Sequence, residues 1–384
     1  VFIAEMGLLL IGLLLAGLGA GAGWLIAGLL IVGLALGADY PTAHLVIAES
    51  MPTRLRGRLV LAAFSCQALG VVTGAAMAAL VLQLAPGPEA WRLFYLLPVL
   101  PVLLLSGLRL QLPESSHWLL SRGQPALAEQ ALAQLLEQPG LRLAPQAAAV
   151  PVQPLPWPQG LAQLFSPRWR RATTLAAVPW FLQDLGTYGI GIFLPLLLAG
   201  AANAASDDPT LRELFAARTS AWIDLALLAG FAIAIAGTDR WGRMPLQITG
   251  FLGCAAGLTL AAAGVGGASR ATNLPVLVLG LLVFQFMTNL GPNAQTYLLA
   301  GELFPTPVRG LGAGCAAAAG KVAAVLMALL VPLLLQRWDP AVLLLLLAGT
   351  SLLGGLVTWL YRIETNGMAL NDGEPLSPPT TVAD

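Results

Sequence analysis

Apolar residues run along the chain in stretches of about 18 to 25, each closed by a short polar segment, and a helix needs roughly 20 such residues to cross a hydrocarbon layer of about 30 Å. The pattern predicts roughly ten membrane-spanning helices, over residues 7–23, 25–49, 59–83, 92–111, 173–199, 219–237, 245–265, 273–300, 310–335 and 339–361. Membrane strands would alternate apolar and polar positions over about ten residues, and runs such as Ala341 to Ala348 do not alternate. The first stretch is not read as a secretory leader, because Glu5 stands where a basic flank belongs and a second span follows at once.

Composition agrees with this pattern. Of 384 residues, 57% are hydrophobic and 10% charged, whereas a soluble domain carries about 25% charged residues. The formal net charge of zero gives no reason to expect nucleic acid as a partner. Cys66, Cys254 and Cys315 all fall in apolar stretches, so small buried side chains are expected and no disulfide. His44 and His117 are the only histidines. No metal site, cofactor motif or catalytic constellation is expected, and the chain reads as a non-enzyme.

A polar stretch from Pro113 to about Arg171 divides the spans into four and six. The expected organisation is an N-terminal bundle over 1–112, a cytoplasmic linker over 113–171, a C-terminal bundle over 172–362 and a disordered tail over 363–384. Within the linker, His117 to Glu137 suits a surface helix, and Pro145 to Pro158 an extended or disordered segment. Arg54, Arg56, Arg58, Arg168, Arg170, Arg171, Arg240, Arg243 and Arg309 fall on one side if both termini are cytoplasmic. The other side has only Arg92, Arg212, Arg218, Arg270 and Arg337. Basic residues in short loops stay cytoplasmic, so that orientation is expected.

The segment Glu49-Ser50-Met51-Pro52-Thr53-Arg54-Leu55-Arg56-Gly57 matches Glu302-Leu303-Phe304-Pro305-Thr306-Pro307-Val308-Arg309-Gly310 at a constant offset of 253. Each copy joins one span to the next at the same face, which indicates a duplicated plan. The motif reads as a helix-end anchor or a gating ion pair, and the two roles are compatible.

An ionisable side chain inside the bilayer costs about 2.5–3.5 kcal/mol on insertion scales, so each is a functional candidate. Asp39, Asp184 and Lys321 stand out. Counted from the cytoplasmic helix ends, they lie with Gln67 and Asn293 roughly 12–18 Å deep. Trp180, Asp184 and Tyr188 follow at i, i+4 and i+8, on one helix face. A structural Asp184–Lys321 ion pair, with Gln67 and Asn293 as interhelical hydrogen-bonding residues, would account for these positions. A midplane substrate site for an anionic, protonatable ligand accounts for their common depth as well.

Asp239-Arg240-Trp241-Gly242-Arg243 resembles the D-R-x-G-R loop of the major facilitator superfamily, and Pro113-Glu114-Ser115-Ser116-His117-Trp118-Leu119 the sugar-porter PESPRWL. Gly37-Ala38-Asp39-Tyr40-Pro41 is similar to the GGDYP of the phosphate:proton symporter branch. Asn289-Leu290-Gly291-Pro292-Asn293, Gly301 to Thr306 and Gly320-Lys321 are similar to its NFGPN, GEVFPT and late GK.

The resemblance implies a two-bundle helical transporter, with phosphate held by Tyr40, Gln67, Trp180, Asp184, Tyr188, Asn293 and Lys321. It implies proton coupling through Asp39 and Asp184, and cytoplasmic motif roles for Glu49, Arg56, Asp239, Gly242, Arg243, Glu302 and Arg309. Leu29 stands where the family carries a midspan Arg, which bears on Asp39. The chain begins with Val, and the family's first two helices are expected to be missing from it.

The resulting expectation is a monomeric, multi-pass carrier of an inner or plasma membrane that moves a small anion, phosphate foremost, with protons. The alternatives are a sugar or organic-ion carrier of the same superfamily, and a non-transporting sensor or degenerate fragment.

Overall fold

The computed structural model describes residues 2–51, 54–84, 89–138, 155–202, 209–266 and 272–368. The described residues form fifteen helices and no strand. In chain order these are α1 (Phe2–Leu18), α2 (Ala22–Ser50), α3 (Arg56–Leu84), α4 (Ala90–Leu96), α5 (Val99–Arg109), α6 (Ser116–Ser121), α7 (Pro125–Leu135) and α8 (Trp157–Leu164). There follow α9 (Arg170–Ala202), α10 (Pro209–Trp241), α11 (Arg243–Gly264), α12 (Leu274–Leu290), α13 (Pro292–Glu302), α14 (Thr306–Arg337) and α15 (Pro340–Tyr361).

All ten predicted stretches are helical. Among the described residues, eight segments are long and apolar enough to cross a membrane: α2, α3, α4 with α5, α10, α11, α12 with α13, α14 and α15. The Ile3–Leu18 part of α1 is apolar but shorter, and the 33-residue α9 carries Arg170, Arg171, Gln183 and Asp184. Large apolar side chains such as Leu30, Leu100 and Leu329 stand exposed, as lipid-facing positions must.

Several boundaries differ from expectation for local reasons. The first span begins five residues early and ends before the glycine-rich Gly19 to Gly21. The fourth span breaks around Pro98, and the eighth at Gly291-Pro292, since proline cannot donate into a helix interior. The expected surface helix is two short helices, parted at Gly123 (φ 72°) with Pro125 opening the second. Residues 139–154, most of the Pro-rich stretch, lie outside the described residues, while Trp157 and Pro158 open α8. Cys254 is buried as expected, but Cys66 is exposed and Cys315 only partly covered.

The chain divides into two compact units: Val1–Met51 with Thr73–Pro156, and Pro52–Val72 with Trp157–Asp384. In the first, Met6, Leu13 and Val102 form a small core joined by Val32, Tyr95 and Val99. Arg92, which pairs with Glu89, turns its guanidinium onto the carbonyls of Gly17 and Gly19. It thus satisfies acceptors orphaned at the end of α1.

The second unit is held by a core drawn from α9, α10, α11, α12, α14 and α15, with Leu258, Leu281, Phe284, Val331 and Leu344 at its centre. Helices between lipid tails gain little from apolar contact and associate by close packing of small residues. The tightest approach is α11 on α12. A Cβ on Gly280 would stand 2.3 Å from the Ala261 nitrogen, and one on Gly257 2.7 Å from the Phe284 nitrogen.

Gly280→Leu is therefore expected to destabilise the second unit by at least the roughly 1–3 kcal/mol typical of overpacking. Thermal unfolding in detergent, followed by tryptophan fluorescence, measures it, with Gly314→Leu, where a Cβ meets nothing within 4 Å, as the neutral comparison.

Candidate functional site

The polar residues predicted in the spans fall into local clusters. In the second unit, α9 presents Trp180, Asp184 and Tyr188 along one face, and α14 brings Lys321 to them. Lys321 Nζ lies 3.4 Å from Asp184 Oδ2 and donates to the Tyr188 hydroxyl at 2.8 Å. The ammonium also lies 4.8 Å from the Tyr188 ring centroid. The Asp184 side chain is 4% exposed, whereas that of Lys321 is 50% exposed. A buried carboxylate thus holds a lysine whose side chain is half exposed.

Gly320 makes this contact possible. A Cβ there would stand 2.6 Å from Asp184 Oδ2 and 2.7 Å from Trp180 Cδ1, so only glycine lets α14 approach α9 at that level. Trp180 is buried and meets Tyr297 edge-on at 6.4 Å. Tyr297 in turn stacks on Phe64 at 4.0 Å with an interplanar angle of 8°. This stack ties α9, α13 and α3, and neither Tyr297 nor Phe64 stood out in the sequence, where each reads as an ordinary core aromatic.

Asn293 and Gln67 lie one turn from that stack. Asn293, four residues before Tyr297, donates to Asn289 Oδ1 at 2.7 Å, and Gln67, three residues after Phe64, is exposed. The structure does not bring them into the Lys321 cluster.

Asp39 and Tyr40 belong to the first unit. Asp39 is not left without a cation by Leu29, which is itself exposed. Arg109, at the end of α5, lies with Nη1 2.7 Å from Asp39 Oδ1 and 3.0 Å from Glu5 Oε1. Glu5 is only 3% exposed. One guanidinium therefore bridges two carboxylates from α1 and α2. Glu5 lay near the start of the chain and Arg109 at a span end, so sequence position hid both.

The motif residues form a further cluster in the second unit. Arg243 is 1% exposed and pairs with Glu302 through Nε (3.1 Å) and Nη2 (2.9 Å), and with Asp239 at 3.1 Å. Such a fork matches guanidinium to carboxylate geometry. Gly242, the one residue between α10 and α11, has φ 87°, which glycine adopts without strain.

Residues 363–368, expected in the tail, strap this cluster. Glu364 caps α11 by accepting from the Arg243 and Met244 nitrogens, both at 3.0 Å. Thr365 donates to Glu302, Asn366 accepts from Arg243, and Arg56 donates to the Met368 carbonyl. Asp239 also accepts from the Arg58 nitrogen at 3.0 Å. Gly57 allows that approach, since a Cβ there would stand 2.3 Å from Asp239 Oδ1. The two copies of the repeat are used differently. Glu302 takes Arg243, while Glu49 accepts from Ser115 in the first unit at 2.6 Å. Arg309 is buried and donates to the Phe304 carbonyl at 3.1 Å.

The described residues define a polytopic helical membrane protein with ion pairs buried among its helices. The sequence model described as "Sugar (and other) transporter" matches residues 1–376, and the chain belongs to that family of the major facilitator superfamily. It is 30% identical over 329 residues to the inner membrane metabolite transport protein YgcS of Escherichia coli K12, covering 85% of this chain and 68% of the relative. It is 26% identical over 365 residues to the probable inorganic phosphate transporter 1-6 of Arabidopsis thaliana, covering 86% and 69%. The fold is that of the proton:xylose symporter XylE, with a TM-score of 0.78 at 20% identity over 96% of this chain and 81% of that one. The protein is therefore an integral, multi-pass membrane transporter.

Removing one partner of a buried pair leaves the other charge uncompensated, at a cost of about 3–5 kcal/mol. Arg243→Ala is expected to lower thermal stability in detergent accordingly. Arg243→Lys should recover only part of the loss, because an ammonium cannot fork onto Glu302 while also reaching Asp239.

Proposed function

We propose that this transporter carries a small anion, inorganic phosphate foremost, together with protons, by alternating access. One observation carries the reading: the Lys321 ammonium, on a half-exposed side chain, paired at the level of the spans with buried Asp184 and with Tyr188. A cation on a half-exposed side chain at this level suits an anion, and a neutral sugar has no need of it. Phosphate also fits Asp184, which accepts a hydrogen bond from a P–OH group, whereas fully ionised sulfate brings only acceptors against that carboxylate.

Trp180, Asn293 and Gln67 would complete the ligand's surroundings from the second unit. Tyr40 enters through the resemblance alone. The names of several relatives, probable inorganic phosphate transporters of plants, support the cargo. The likeness to XylE, a proton:xylose symporter, supports the coupling ion.

For the proton, the Glu5–Arg109–Asp39 cluster gives the resemblance a physical basis. Two carboxylates share one guanidinium, and a single proton balances the remaining negative charge. Arg109 thus takes the part that Leu29 cannot. Asp239, Gly242, Arg243, Glu302 and Arg309 would act as the latch at one end of the second unit, with Glu49 and Arg56 as the matching copy. The Arg distribution supports placing both termini in the cytoplasm, and the carrier is read as a monomer.

Radiolabelled phosphate uptake into proteoliposomes under an inward proton gradient tests this reading. Lys321→Ala and Asp184→Asn are each expected to reduce uptake at least about tenfold, the scale of truncating one member of a buried charge pair. Full uptake by both variants sinks the site. Uptake of a sugar or organic acid in place of phosphate overturns the cargo, and ligand binding without counterflow identifies a non-transporting receptor.

Arg109→Leu is expected to abolish gradient-driven accumulation while phosphate exchange at equal pH persists. Loss of both activities in a folded variant would count against Arg109 as part of the proton centre.

A further inference from the structure

One carboxylate within the spans has no place in the reading above. Asp224 lies on α10, seventeen residues before Trp241 and so about 26 Å from that end of the helix. Its Oδ1 accepts from Gln285 Nε2 of α12 at 2.8 Å. Among the described residues no cation pairs with it, in contrast to Asp39, Asp184 and Asp239, each of which meets an arginine or lysine.

The neighbouring elements explain why. Described residues of α9, α11 and α12 pack against α10. On α9, Asp184 and Tyr188 are engaged by Lys321, and Arg170 and Arg171 lie in the first turn. On α11, Arg243 is bound at the Glu302 end, and Cys254 Sγ approaches the Phe284 carbonyl at 3.9 Å. Helix α12 has no titratable residue. Arg58 of α3 reaches the Asp239 end of α10. On α10 itself, Arg218 is exposed six residues earlier, and Asp239 and Arg240 lie at the far end.

Gln285 begins a polar stripe. Asn289 Nδ2 donates to the Gln285 carbonyl at 3.0 Å, and Asn293 Nδ2 donates to Asn289 Oδ1 at 2.7 Å. Residues 285 and 289 lie one turn apart on α12, and Asn293 follows across the Gly291-Pro292 break in the first turn of α13, so the stripe leads from the level of Asp224 to Asn293. Gly230 of α10 allows the helices to close on it, since a Cβ there would stand 2.4 Å from the Phe286 carbonyl and 3.1 Å from Asn289 Cβ. Gln285 and Asn289 are buried. Buried amides at Gln285 and Asn289, continued by the partly buried Asn293 of α13, cost more than apolar residues would, unless they serve the groups at the two ends of the stripe.

We propose that Asp224 is a second proton-binding site, in the half of the second unit away from Arg243, joined by the Gln285–Asn289–Asn293 stripe to the level of the candidate ligand residues. A carboxylate in a span without a cation carries an uncompensated charge. Taking up one proton converts it to the neutral acid, whose carbonyl oxygen still accepts from Gln285, and releasing that proton restores the carboxylate. Its part in coupling rests on the proton-linked reading above; its existence as a titrating group does not.

Acid-minus-alkaline difference infrared spectroscopy of the full chain in lipid tests the site without any cargo. The protonated-carboxyl band of the wild type is expected to lose one component in Asp224→Asn, whose amide oxygen still accepts from Gln285 and so preserves the interhelical bond. Gln285→Leu keeps the acid but removes its donor, and is expected to shift the band. An identical band in the wild type and Asp224→Asn overturns the proposal, as does an unshifted band in Gln285→Leu.

In proteoliposomes, Asp224→Asn is expected to lose at least about tenfold in gradient-driven phosphate uptake while exchange persists. If the wild type moves no phosphate, the cargo reading fails and the infrared result still decides Asp224.

Discussion

A charge placed among hydrocarbon tails or sealed between helix ends has little water to solvate it, so each one in this chain must be answered by another side chain or by a proton. The answers differ in kind. Arg243 is 1% exposed and forked onto Glu302, with Asp239 beside it, and its geometry is that of a closed clamp. Arg109 answers Asp39 and Glu5 together, so its cluster has one acid more than it has cations. Lys321 answers Asp184 but keeps half of its side chain open. The same electrostatic constraint yields a fastening in the first case and, under the proposed function, a proton balance in the second and an anion cradle in the third.

These pairs depend on how closely helix backbones approach. At Gly320, Gly57 and Gly230 a single added methyl would collide with the partner helix or with the polar group itself. Small residues therefore do more here than tighten apolar contacts. They set the distance at which a short Asp or a branched Asn reaches its partner, and lengthening that distance would leave buried polar groups unsatisfied. The long Lys and Arg side chains tolerate some variation, which is why the carboxylate and amide positions carry the stricter backbone requirement.

The helices were legible because a membrane span is an all-round apolar run, and length alone identifies it. The Asp184–Lys321 pair was legible for the same reason: a charge inside such a run has few explanations. The partner of Asp39 was not. Arg109 stands at the end of its span, where an arginine is ordinary, and only the packing of α1, α2 and α5 brings it to Glu5 and Asp39. Asp224 lay five residues inside its predicted stretch and was not singled out. The strap at 363–368 carries Glu364, Thr365 and Asn366 just beyond the last apolar run, where polar residues signal the end of a helix and nothing more. Tertiary proximity, which periodicity does not encode, separates what was read from what was missed.

Exposure distinguishes the two kinds of ion pair more sharply than distance does. Lys321–Asp184 at 3.4 Å is looser than Arg243–Glu302 at 2.9 Å, and taken as a fastening it would be the poorer one. A binding cation should be poorly fastened. If Asp184 and Tyr188 satisfied the ammonium fully, a ligand anion would have to displace them and would gain little net energy in doing so. A lysine, with a compact charge on a flexible stem, can turn from carboxylate to ligand and back, whereas a forked arginine cannot without breaking both of its bonds. The choice of lysine at 321 and arginine at 243 is thus consistent with one position that must exchange partners and one whose fork is engaged as long as the clamp holds.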